Sequence, residues 1–201
     1  MNKMKKILPI IAISMLITAC SGNQKANENN FKQAIRKYET QHPLCLAMPL
    51  AVDNENIFLG QPIIRIEHSK TLDKNTIRQM EVLNKADIYK KQKSEKINGN
   101  HVSVYKLTDK GAKYADKTRP LLCVANLNVE RIKWFSQPTA DNGLYVSHVS
   151  FSGKYKLHSW ADKLLKINND DTYKLLQQPV DAQTVLVLTN KGWIDNREVS
   201  K

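Results

Sequence analysis

The stretch Ile88-Tyr89-Lys90-Lys91-Gln92-Lys93-Ser94-Glu95-Lys96-Ile97-Asn98-Gly99-Asn100-His101-Val102-Ser103-Val104-Tyr105-Lys106-Leu107 carries the plainest fold signal in the chain. Residues 88–93 and 101–107 are strand-like, and Asn98-Gly99 between them supplies the positive φ angles that a tight hairpin needs. Thr108-Asp109-Lys110-Gly111 then opens a short helix through Ala112 and Ala115, with Thr108 as its cap. On the other side, residues 72–86 place Ile77, Met80 and Leu83 on one face of a second helix. Helix, hairpin and short helix in this order predict an α+β fold.

Working outward, Phe31, Ala34, Ile35 and Tyr38 recur at i, i+3, i+4 and i+7, so a helix is expected behind Asn30 as N-cap. His42-Pro43 ends it, because the residue before proline avoids the helical region. Residues 44–52 are apolar and broken by Pro49, which suits buried irregular chain or a short edge strand, and Ile63-Ile64-Arg65-Ile66 reads as a strand. Downstream the pattern turns to β. Ile132 and Trp134 alternate within residues 129–135. Between Asp141-Asn142-Gly143 and Gly153, Leu144, Val146 and His148 alternate with Tyr145, Ser147, Val149 and Phe151. Ser159 can cap a helix over residues 160–167 that groups Ala161, Leu164 and Leu165. Val185-Leu186-Val187-Leu188 is apolar throughout, as a central strand would be. It leads into Thr189-Asn190-Lys191-Gly192, an echo of Thr108-Asp109-Lys110-Gly111 that a shared strand-to-turn solution explains as well as a duplication does. The expectation is one domain over residues 31–201, with short helices, antiparallel hairpins and a β-rich part at 120–195.

Residues 72–116 resemble the winged part of winged-helix domains, notably the MarR type. There a helix ending in a Leu-x-x-Gly-Leu-Ile-like step runs into the wing, and a Leu-Thr-x-x-Gly motif follows it. Leu83, Ala86 in the glycine's place, Ile88, Leu107, Thr108 and Gly111 carry the likeness here. Two departures stand out: one helix rather than two precedes residue 70, and Asp87 replaces an apolar residue. The resemblance implies a local winged-helix-like fold. It does not imply function.

The first residues give an address. Met1-Asn2-Lys3-Met4-Lys5-Lys6 is basic, and the apolar run 7–18 is too short for the roughly 20 residues of a membrane-spanning helix. A basic head, a short apolar middle and a small residue before the cut mark a secretory signal over residues 1–19. Leu16-Ile17-Thr18-Ala19-Cys20 resembles the lipobox of bacterial lipoproteins. That resemblance implies cleavage before Cys20, a diacylglycerol on its thiol, two or three fatty chains such as palmitate in all, and a permanent membrane anchor. Ser21 after the cysteine implies outer-membrane sorting, with the body facing the periplasm or the cell exterior. Residues 20–30 are polar and read as a flexible tether.

Cleavage leaves 182 of 201 residues and takes Lys3, Lys5 and Lys6 from a net charge of +12, leaving +9. Such charge speaks of partners and solubility rather than fold. In an envelope the partners are a protein or a polyanion such as lipopolysaccharide or an acidic glycan, with Lys85, Lys90, Lys91, Lys93 and Lys96 as the candidate contact surface; the bland alternative is a solvated lysine-rich face. Nucleic acid is not expected of an exported chain. With Cys20 lipidated, Cys45 and Cys123 remain, each shortly after a proline in an apolar setting, and an oxidising compartment favours a disulfide between them over a catalytic thiol. The five histidines are scattered, and no metal-ligand spacing, nucleophile elbow or phosphate loop is present. No cofactor, metal or catalytic residue is expected. A hydrolase would need His148 or His158 brought beside a carboxylate such as Asp162 and a hydroxyl.

Overall fold

The computed structural model describes residues 22–52, 55–68, 72–97, 99–168 and 170–199. Cys20 and the lipobox lie outside them, as does Asn98. The elements run α1 (Glu28–Gln41), β1 (Leu44–Leu46), β2 (Pro49–Val52), β3 (Glu55–Phe58), β4 (Ile63–Glu67), α2 (Lys74–Lys85), β5 (Tyr89–Lys91), β6 (Glu95–Ile97) and β7 (Asn100–Leu107). They continue with α3 (Asp109–Ala112), β8 (Leu122–Phe135), β9 (Thr139–Asp141), β10 (Leu144–Leu157), α4 (Ser159–Asn168), α5 (Asp170–Leu176), β11 (Val180–Thr189) and β12 (Gly192–Asp195). Helices and antiparallel sheets combine as one α+β domain.

The largest sheet has the order β1-β8-β10-β11-β12, with β9 folded onto β10. Its inner face is the one the alternation selects: Ser147, Val149 and Phe151 are buried while Leu144 and His148 are exposed. α1 lies across that face, burying Phe31, Ala34 and Ile35. Phe31 meets Phe135 and Trp193 edge-on, at ring separations of 5.0 and 4.9 Å. Asn27, not Asn30, is the N-cap; its side chain accepts from the Asn30 amide at 2.9 Å. Asn30 instead donates its side-chain amide to the carbonyls of Gly22 and Lys25, so part of the stretch expected as tether is tied to the helix start. Both asparagines can cap, and this tie decides between them. At the other end of the chain, Arg197 clamps α1. It donates to Asp195 and Glu39 and stacks 3.8 Å over the Tyr38 ring. Asp195 is buried, which alone would raise its pKa, but the bonds from Arg197 and Thr184 outweigh burial and hold it below the ordinary carboxylate range.

Two register shifts in β8, opposite Ser150/Phe151 and Ser152/Gly153, change which residues face inward. Ile132 is buried, as expected. Trp134, which alternation puts on the same face, is turned outward and is 58% exposed because Lys133 is the extra residue of a bulge.

A smaller sheet, β4-β7-β5 with β6 also on β7, forms the expected hairpin and gives it a third strand. Ile97 pairs with Asn100 and Gly99 has φ +84, as the Asn-Gly reading requires. One arm is split at residues 92–94, so the expected strand 88–93 is shorter. Asp73 caps α2 and Thr108 caps α3 through the Gly111 amide. A Cβ at Gly111 would sit 2.1 Å from the Ile88 carbonyl oxygen, so only glycine lets α3 pack this tightly on the strand entering the wing. The echo at Thr189 does something else: its hydroxyl donates to the Gly192 carbonyl and accepts from the Lys191 amide, closing the β11–β12 turn. Tyr89 plugs the base of the wing. Its hydroxyl donates to Gln61 and accepts from the Gly60 amide, and burial pushes its pKa up to about 12.

Met80 and Leu83 of α2 pack with Trp160, Ala161, Leu164 and Leu165 of α4 and with Leu122 and Val124 of β8. The wing unit is thereby fastened to one end of the large sheet. At that same end Cys45 and Cys123, directly opposite on β1 and β8, are joined by a disulfide across 78 residues. Residues 44–52, read as irregular chain or edge strand, supply β1 at the edge of the large sheet and β2 of a separate hairpin. That hairpin's partner strand β3 and the helix α5 are not foreshadowed in the sequence reading.

Candidate functional site

Among the described residues no group of His, Cys, Asp and Glu is placed to hold a metal ion. His148 is exposed on β10, where its backbone amide donates to the Ser136 hydroxyl at 3.0 Å. Asp162, the carboxylate named as its potential partner, instead pairs with Lys166 one turn along α4 at 2.9 Å. His158 sits against Tyr114 and Trp160, at 4.8 and 6.2 Å between ring centres, and burial pulls its pKa below the ordinary imidazole value. Among the described residues neither histidine is brought together with an acid and a hydroxyl.

A histidine the sequence did not single out does meet a hydroxyl. His68 Nε2 lies 2.6 Å from Ser103 Oγ, beside a cavity of about 140 Å³ lined by Ile77, Glu81, Lys91 and Tyr105. Ser103 is buried, so the pair knits the end of β4 to β7 rather than presenting a nucleophile at the surface. Burial raises the pKa of the Tyr105 hydroxyl, with the Ser103 bond acting the other way and the charge on Glu81 adding to the rise.

The lysines form the more distinctive surface. Lys85, Lys90, Lys91, Lys93 and Lys96 are all exposed, and none of them is in an ion pair with a described residue. Four of the five lie on or between β5 and β6, the arm of the wing that has a neighbour on one side only. Lysines there have a structural use, because charge on an edge strand discourages another chain from pairing with it. One contact goes beyond that use. Lys90 stands directly opposite Lys106 in the β5–β7 ladder, a like-charge arrangement that costs stability and is not needed to guard the edge. The acids nearby are spoken for or turned elsewhere: Glu95 pairs with Arg65 at 3.7 Å and Glu67 holds Asn100. Lys110 serves structure, donating to the Ala86 carbonyl at the end of α2 at 2.7 Å.

The entry of the chain is the third notable place. Gln24 is held by Trp193, whose Nε1 donates to its carbonyl at 3.1 Å, and Gln24 reaches Asn190 through its side-chain amide at 3.4 Å. A groove of about 450 Å³ lies alongside, between α1 and β12, lined by Asn30, Lys37, Lys191 and Trp193 among others. No helix of the described residues is long and apolar enough to cross a membrane. Comparison of the chain with protein-family models, with curated proteins and with solved structures yields no match.

Proposed function

We propose that the chain is an exported lipoprotein, anchored in the outer membrane through Cys20, whose folded body binds a partner in the envelope and is not an enzyme. One observation carries the reading: every position of Leu16-Ile17-Thr18-Ala19-Cys20 suits a lipobox. The Cys45–Cys123 disulfide supports the compartment, since such bridges persist where the surroundings oxidise thiols. The dispersal of His148 and His158 supports binding over catalysis. In the test, Cys20→Ala is compared with the native chain by labelled palmitate and membrane fractionation. The native chain takes up palmitate and sediments with membranes, and the variant does neither. A variant that fractionates normally would refute the anchor.

A second reading, in which the partner is an anionic polymer, is favoured by Lys90 facing Lys106. An anion between them would remove the repulsion that the free wing tolerates. Binding of purified lipopolysaccharide or an acidic glycan should then fall steeply between low and high salt. A protein partner seated on apolar contacts would hold through that range.

A further inference from the structure

Two exposed apolar side chains stand at the end of the large sheet where the chain enters. Gln24 is pinned to Trp193 there; Trp193 faces Leu188 across β11 and β12, and Leu188 faces Tyr145 across β10 and β11. Tyr145 therefore lies in one row with the point of entry, two strand spacings or about 10 Å away. It is 56% exposed, and Leu144 before it is 44% exposed. Both sit at the rim, straight after the Asn142-Gly143 turn. Cys20 precedes Gln24 by four residues, which even fully extended span at most about 14 Å. That is roughly half the thickness of a bilayer's hydrocarbon core. A body held on so short a lead cannot stand clear of the membrane or turn freely above it.

We infer that the lipidated protein rests this end of the sheet on the bilayer that holds its anchor, with Leu144 and Tyr145 at the level of the headgroups. The inference depends on the lipid-anchor reading above and adds an orientation to it. Charge does not drive the contact: exposed Lys25 and Lys191 are balanced by exposed Glu28 and Asp141. The short lead and the two apolar side chains drive it, and tyrosine suits that depth because its ring is apolar and its tip polar. The wing unit packs at the opposite end of the sheet, about 40 Å along β10 from Tyr145 to Leu157. Resting on the turn end therefore presents the lysine-rich hairpin away from the lipid.

Nitroxide labels on the lipidated full chain test this. Leu144→Cys, Lys191→Cys and Lys93→Cys, each labelled separately, are reconstituted into vesicles of phosphatidylethanolamine and phosphatidylglycerol. They are compared with the same labels on soluble Cys20→Ala protein. Labels at 144 and 191 should become several-fold less accessible to an aqueous nickel chelate and more accessible to oxygen, while the label at 93 stays unchanged. Unaltered accessibility at 144 and 191 in a chain shown to carry palmitate would overturn the orientation and leave the anchor standing, and so would protection at 93. A chain that carries no palmitate would overturn both.

Discussion

Phe31 and Ile35 under the large sheet are wholly buried, whereas every residue of β6 in the wing is exposed. The first region is held by interlocking apolar side chains from five elements. The second has a buried face of its own, with Tyr89, Val102 and Val104, but its arm β6 is held by ladder hydrogen bonds and a tight turn. The contrast separates what keeps the molecule folded from what it has free to use. Side chains under α1 have no spare contact to offer a partner, and the wing lysines have little else to do.

The sharpest way to break that contrast is at the covalent tie of the sheet end. Closing a loop of 78 residues contributes roughly 4 to 5 kcal/mol on the chain-entropy model. Cys45→Ser should therefore lower stability in a denaturant titration as much as Cys45→Ser with Cys123→Ser; additive losses would mean the sulfurs act separately. Next in size, Phe31→Ala removes a fully buried ring from between Phe135 and Trp193, at about 3 to 5 kcal/mol. Tyr89→Phe tests the plug of the wing. It strips the partner from the Gly60 amide and should cost about 1 to 3 kcal/mol, showing that the wing base, unlike its arm, depends on buried contacts.

Acid probes the clamp on α1. The Asp195 pKa is lower in the folded chain than in the unfolded one, so its stabilisation is complete above the unfolded value near about 4 and is lost as pH falls through the folded value. Thermal stability should therefore fall below that pH, and Asp195→Asn should flatten the fall. The smallest effect has the opposite sign. Lys90→Ala relieves the repulsion with Lys106 and should stabilise by up to about 0.5 kcal/mol, more at low salt, while weakening any polyanion binding.

Local chemistry explains which parts were legible beforehand. Thr108 caps the helix expected of it, Gly99 turns the hairpin, and the alternation from Leu144 to Phe151 selects the correct inner face, because each depends on neighbours in sequence. The disulfide was legible because reading Cys20 as a lipobox cysteine leaves Cys45 and Cys123 to pair. Trp134 was misplaced because a bulge breaks the period of two on which its reading rests. β3 and α5 were missed for want of a period long enough to read. In the candidate sites, the lysines could be found as charges, but Lys90 facing Lys106 depends on strand register. Trp193 meeting Gln24 joins residues 169 apart, a contact no local pattern announces.

The intact mass of the protein extracted from its own cell envelopes decides whether a body of this kind is carried on lipid. A chain beginning at Cys20, heavier than residues 20–201 by a diacylglyceryl group and an acyl chain, is the expected result. The unmodified mass of residues 1–201, recovered from the soluble fraction, would contradict it.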